Sequence, residues 1–210
     1  MTLAAFVAGG VFAQEFGLSV GGGLMGEFGR IGSVSFDETL PVVGSVDYRT
    51  SLNQMIVGGF VFLDATFLEA SVAFGGGPSM WGVTHSGLGA SADETIGGSA
   101  FALNLSLLGK FPIELDDGLT LFPLAGIGYN IMMSTSIDGN DVRGDSLNSF
   151  RLQVGFGADI GLNDNMFVRA SLLGWYGFAP RYFSVPIRNH ESAHGGFGGA
   201  LRVGVGIRLF

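Results

Sequence analysis

Apolar and polar residues alternate with period two over most of this chain, the mark of extended strands that give their two faces to different surroundings. The last stretch shows it plainly. Leu201, Val203, Val205, Ile207 and Leu209 fall on one side, with Arg202, Gly204, Gly206 and Arg208 on the other. A first strand runs from Phe16, with Leu18, Val20, Gly22, Leu24, Gly26 and Phe28 on one face and Gly17, Ser19, Gly21, Gly23, Met25, Glu27 and Gly29 on the other. The clearest alternation is Phe150, Leu152, Val154, Phe156, Ala158, Ile160 and Leu162 against Arg151, Gln153, Gly155, Gly157, Asp159 and Gly161.

Five further strands complete the set. Gln54 to Leu63 and the segment after Asp64-Ala65-Thr66 form a hairpin. Centring it on Ala65 pairs Phe62 with Leu68, Phe60 with Ala70 and Ile56 with Phe74 on one apolar face, leaving Val61 and Glu69 on the other. Ile96 to Phe111 places Phe101, Leu103, Leu105 and Leu107 opposite Ala102, Asn104, Ser106, Leu108 and Lys110. Leu119 to Met133 alternates too, but holds Pro123, which lacks a ladder donor and predicts a bulge or distortion there. Met166 to Gly177 sets Val168, Ala170, Leu172 and Gly174 against Arg169, Ser171 and Leu173. Asn163-Asp164-Asn165 is turn chemistry, and a hairpin centred on Asp164 puts Asp159 opposite Arg169.

About eight strands of roughly 10 to 15 residues result, where a membrane-crossing strand needs ~9–11. Long polar connections are expected at residues 30–53, 77–95, 134–149 and 178–195, and short turns in between. That asymmetry suits an antiparallel up-and-down transmembrane β-barrel, all-β, with short periplasmic turns and long external loops. Phe16, Phe28, Phe67, Phe111, Phe150, Trp175 and Tyr176 lie near strand ends, where interfacial aromatic girdles sit.

Composition agrees. Charged residues are 13% of the 210, against the ~25% of an average soluble chain, with 37 Gly and 19 Phe. A soluble eight-stranded barrel would need Phe60, Phe62, Phe101, Phe150 and Phe156 inside, with glycines coating its exterior. A net charge of −8 argues against nucleic acid. Zero Cys excludes disulfides and thiolate chemistry. The most apolar uncharged run, Leu119 to Met133, is too short and too rich in Gly and Pro for a membrane helix. Residues 1–13 read as the remnant of a signal peptide, an apolar stretch ending on small Ala13, without a basic residue before Arg30. Residues 14–210 are then the barrel domain.

With the apolar face outward, Glu27, Glu69, Lys110, Arg151, Asp159, Arg169, Arg202 and Arg208 point into the lumen. Charges in so narrow a space require partners. One or two ion-pair clusters are therefore expected to plug the lumen, with Glu27 within reach of Arg202. Glycines on the inner face are expected to let opposite walls approach.

The pattern over residues 15 to 210, closing on Gly204-Val205-Gly206-Ile207-Arg208-Leu209-Phe210, resembles the small outer-membrane barrels of the OmpA transmembrane-domain, OmpX and OmpW type. The resemblance implies residence in the outer membrane among its lipids. It also implies insertion by the barrel-assembly machinery, which reads the last strand, here Val203, Val205, Ile207, Leu209 and Phe210. Phe210 sits one residue off the apolar phase, which Leu209 holds.

No cofactor or catalytic set emerges. Gly21-Gly22-Gly23-Leu24-Met25-Gly26 fits GxGxxG but lies inside a strand and opens no helix. His190 and His194 have metal-like spacing only on a helix, and their surroundings are loop-like. His85 and Ser86 invite comparison with lipid A-modifying barrels, yet adjacent strand residues face opposite ways. The leading expectation is a non-enzymatic barrel that supports the envelope and meets an extracellular or host ligand through its four long connections. The alternatives are a narrow conduit for small apolar solutes, lined by Val57, Val61, Leu63, Leu108, Phe122, Leu124, Met132 and Leu173, and a lipid A-modifying enzyme.

Overall fold

The structure, a computed structural model, describes residues 17–40, 44–87, 90–116, 118–142, 144–180 and 191–209. The expected signal-peptide remnant, Phe16, His190 and Phe210 lie outside them. In chain order the elements are β1 (Leu18–Leu40), β2 (Gly44–Ala65), β3 (Leu68–Gly87), β4 (Ala90–Lys110), β5 (Ile113–Asp116), β6 (Leu119–Ile137) and β7 (Asn140–Val142). A 3₁₀ turn (Gly144–Leu147), β8 (Ser149–Gly161), β9 (Met166–Gly177) and β10 (Glu191–Arg208) follow. Eight strands form a ring in the order β4-β3-β2-β1-β10-β9-β8-β6, closed by β4 on β6, with every neighbour antiparallel. Short β5 and β7 extend β6 at its two ends.

Burial alternates residue by residue, as the sequence pattern requires. In β8, Arg151, Gln153, Gly157 and Asp159 are buried while Phe150, Leu152, Val154 and Phe156 are exposed. Leu24 is 74% exposed and Phe156 62%. Large apolar side chains ring the whole outer wall at this level. Water would not tolerate such a band. Around a closed barrel it is the surface that meets hydrocarbon. No helix among the described residues is long and apolar enough to cross a membrane.

Four sequence expectations change. First, the β2–β3 hairpin turns at Thr66-Phe67, with Thr66 at φ 42°, and pairs Ala65 with Leu68 and Phe62 with Ser71. The centre lies one and a half residues beyond Ala65, which shifts the pairing by an odd number and turns every β2 side chain to the other face. Ile56, Phe60 and Phe62 therefore point inward, and Val57, Val61 and Leu63 face lipid.

Second, much of the expected loop sequence is paired strand. β1 and β2 stay hydrogen-bonded up to Leu40↔Gly44, and β3 and β4 up to Gly87↔Ala90. Polar composition marks these segments as solvated; it does not unpair them. Residues 134–149 likewise include the end of β6, β7 and the 3₁₀ turn. Of 178–195, residues 181–190 are outside the described set, and β10 begins at Glu191.

Third, the bulge in β6 is at Met133, opposite Phe101 and Ala102, while at Pro123 the distortion is a break between two ladders rather than a bulge. The β4 ladder ends at Lys110↔Leu124 and the β5 ladder begins at Ile113↔Leu121, so Pro123 occupies the gap where a ladder donor is not needed. Fourth, Trp175 points into the barrel and is buried, while Phe28, Phe67, Phe111, Phe150 and Tyr176 are exposed on the outer wall.

Candidate functional site

The lumen is where the chain concentrates its charge. Two turns aim the key carboxylates. In the β8–β9 turn, Asn163 Oδ1 accepts the N–H groups of Asn165 and Met166 at 3.0 and 2.9 Å, an Asx turn that pins the register. Asp159 consequently stands opposite Arg169. In the β2–β3 turn, Thr66 Oγ1 accepts the Gly17 N–H at 2.8 Å, tying the hairpin to the foot of β1 and placing Asp64 opposite Glu69.

Arg169 is the hub, 1% exposed. Its Nε and Nη2 donate to the two carboxylate oxygens of Asp159 at 2.7 and 2.6 Å. Nη1 donates to Glu69 Oε2 at 2.8 Å, and Nη2 also donates to Asp64 Oδ2. Lys110 donates to the same Asp64 oxygen. One guanidinium thus joins carboxylates from β2, β3 and β8 across the lumen. Above them Arg202 Nη1 donates to Ser71 Oγ at 3.0 Å and lies 3.9 Å from Glu69 Oε1. Three carboxylates and three cations balance, which a low-dielectric interior demands.

Three rings enclose the hub, with centroids 4.4, 5.0 and 5.1 Å from the Arg169 guanidinium carbon: Phe62, Phe122 and Phe167. Each ring lies over a glycine paired directly with it on the neighbouring strand: Gly21 with Phe62, Gly157 with Phe122 and Gly206 with Phe167. A Cβ on those glycines would come within 2.4, 2.3 and 2.2 Å of the ring. The inner-face glycines, expected to bring opposite walls together, here seat aromatic rings from adjacent strands.

A second charge unit sits towards the long-connection end. Arg151 Nη1 donates to Glu27 Oε1 at 2.7 Å, and its guanidinium carbon is 3.9 Å from the centroid of the Trp175 ring. That indole covers Gly29 and Gly198, where a Cβ would meet its Cζ2 at 2.6 and 2.5 Å. Farther along, Ile31, Leu52, Trp81 and Leu147 of the 3₁₀ turn are all buried in one apolar cluster.

The expected lumen residues therefore part company in three ways. Glu69, Lys110, Asp159, Arg169 and Arg202 come together, and Glu27 pairs with Arg151 rather than Arg202. Arg208 is exposed at the short-turn mouth, donating to the Asp164 carbonyl at 3.2 Å, and takes no part in an ion pair with these groups. Asp64, read from sequence as a turn residue, is a full member. The signal for it was its period-two phase with Phe62 and Phe60.

Of the residues expected to line a conduit, Leu108, Phe122, Leu124 and Leu173 pack together inside and Met132 is buried. Val57, Val61 and Leu63 face the other way. Below the Arg169 cluster a vestibule of about 630 Å³ opens at the short-turn end, lined by Lys110, Asp159, Asp164 and Arg208 among others. His85 rests edge-on against Tyr48 at 4.9 Å and is followed along the same strand by Ser86. His194 is exposed on β10, and the described residues hold no group of three His, Cys, Asp or Glu able to bind a metal. Val203, Val205, Ile207 and Leu209 of the closing strand face lipid.

This is the fold of the small eight-stranded outer-membrane β-barrels, integral proteins that cross the bilayer with strands. The chain is similar to OprG of Pseudomonas aeruginosa, with 14% identity, a TM-score of 0.50, and 93% of this chain and 97% of that one covered. It is also similar to Ail of Yersinia pestis (14%, 0.45, 93% and 100%) and to the Neisserial surface protein NspA (12%, 0.46, 90% and 96%). At these identities the likeness is one of fold. No protein-family model matches the chain, and no curated protein matches its sequence.

Proposed function

We propose that this outer-membrane barrel is closed and non-enzymatic, and that it serves the envelope as a structural wall carrying an external interaction surface. The observation that supports this most directly is Arg169 binding carboxylates from three strands across the lumen. In an eight-stranded barrel side chains suffice to fill the interior, and a network spanning it leaves solutes little room. The external surface is the paired extension of β1 to β4. β1 and β2 run for 23 and 22 residues where ~9–11 cross the bilayer, while β8 and β9 have 13 and 12. One side of the barrel therefore rises above the other as a hydrogen-bonded crest bearing exposed Asp47, Arg49, Asp93 and Glu94. An extracellular or host ligand would meet this crest, and the assembly machinery would read the lipid-facing residues of β10.

The test uses cells expressing the barrel with Ser91 to Thr95 replaced by a Gly/Ser segment. Reduced attachment to an abiotic or host surface, with small-solute uptake unchanged, is the expected result. Faster uptake of small solutes by cells carrying the intact barrel would overturn the reading in favour of a conduit.

A further inference from the structure

The vestibule below the Arg169 cluster is unevenly charged. Four carboxylates line it, those of Asp64, Glu114, Asp159 and Asp164, against the two cations Lys110 and Arg208. Counting Arg169, which bonds Asp64 and Asp159 from behind the floor, still leaves carboxylates in excess. The surplus stands at the rim. Glu114 and Asp164 make no ion pair among the described residues, and Arg208 Nη1 donates to the Asp164 carbonyl rather than to a carboxylate.

The strand register sets these groups in order. Glu114 of β5, Thr120 of β6 and Asp159 of β8 are consecutive cross-strand partners, so one wall offers a carboxylate, a hydroxyl and a carboxylate in a row. Two strand spacings separate its ends, roughly 10 Å. In the opposite wall Ser19 of β1 stands between its partners Arg208 and Asp64. Asp64 is 2% exposed, and both its bonds, from Lys110 and Arg169, end on Oδ2, so that Oδ1 is buried without a hydrogen-bond partner. Between the charges the lining is apolar, from Leu18, Pro112, Phe167 and Leu209.

We infer that the vestibule binds a linear aliphatic polyamine, with its ammonium groups on the carboxylates and its methylene chain on the apolar lining. The excess of carboxylates calls for a cation, and the buried acceptor left over on Asp64 calls for one that donates hydrogen bonds. The acids stand apart instead of converging. No group of three His, Cys, Asp or Glu among the described residues can hold a metal ion, so the cation that fits is extended rather than compact. Ammonium groups a few methylenes apart span the row from Glu114 to Asp159. An alkyl stem laid on apolar surface with its charged ends on polar groups is the packing that long cationic chains adopt.

The experiment is isothermal titration calorimetry of the purified full chain in a non-ionic detergent, with spermidine as the probe. Wild type is expected to give saturable heat. Glu114→Gln removes a rim carboxylate that no other side chain pairs with, and is expected to weaken binding by about two- to fivefold, the worth of one exposed ion pair. Asp141→Asn makes the same change of charge at an exposed site on β7, at the other end of β6, and is expected to leave the affinity unchanged. All three are first checked for the folded band on an unboiled gel, and Asp164→Asn replaces Glu114→Gln if that variant does not fold. No saturable heat from wild type, an equal loss in both variants, or displacement of spermidine by Mg²⁺ at equal concentration would each overturn the inference.

Discussion

Asp159 and Arg169 face each other across β8 and β9, and the carboxylate takes two parallel hydrogen bonds from the guanidinium at 2.7 and 2.6 Å. The same guanidinium holds Glu69 from β3 and Asp64 from β2, so a local hairpin contact becomes a tie across the barrel. Removing the hub leaves three buried carboxylates facing one another with only Lys110 and Arg202 nearby. Arg169→Ala is expected to destabilise the folded barrel by about 3–5 kcal/mol. Urea unfolding in lipid, read by the shift of the folded band on a gel, measures it.

The glycine seats are as specific as the charges. Gly157→Val puts a branched side chain where Phe122 now lies and where the Ala170 carbonyl is 3.1 Å from the Cβ position. The ring must leave the Arg169 pocket. A loss of about 1–3 kcal/mol is expected from overpacking, whereas Gly26→Ala, where an added Cβ meets nothing within 4 Å, is expected to be near neutral in the same assay.

The reversed faces of β2 make a sharp contrast between neighbours. The chain has no cysteine, so single introduced thiols report cleanly. In bilayers, Val61→Cys is expected to react with a lipid-soluble maleimide, and Phe62→Cys, whose side chain points to Arg169, to stay protected. Protection at 61 with reaction at 62 would restore the hairpin centred on Ala65.

The crest predicts its own topology. Glu94→Cys is expected to be labelled on intact cells by a membrane-impermeant reagent, and Asp164→Cys, on the short β8–β9 turn, only after the outer membrane is opened. Equal labelling of both would remove the assigned orientation.

Sequence alternation was enough for the outer and inner faces of seven strands, because each buries one face over most of its length and a period of two leaves no ambiguity once its phase is known. It also placed Asp159 opposite Arg169, since Asn163-Asp164-Asn165 is a turn with its own side-chain chemistry. The β2–β3 hairpin lacked such a marker. Thr66-Phe67 is not turn-forming in composition, and both phases of β2 are apolar, Phe60 and Phe62 on one and Val57, Val61 and Leu63 on the other. Asp64 was lost for the same reason, since its role depends on which way β2 faces. The crest was hidden because Ser, Thr and Asp at its positions look like loop, and only the partner strand shows that they are paired. Trp175 near a strand end looked like an interfacial anchor until Gly29 and Gly198 were seen to make room for it inside.

Single-channel recording of the purified full chain in planar bilayers distinguishes a lumen closed by its side chains, as proposed, from an open one. A closed lumen gives no reproducible unitary steps from wild type, with activity emerging only when the hub is removed in Arg169→Ala. Steady unitary conductance from wild type, growing when Glu69 is neutralised as Glu69→Gln, would contradict it.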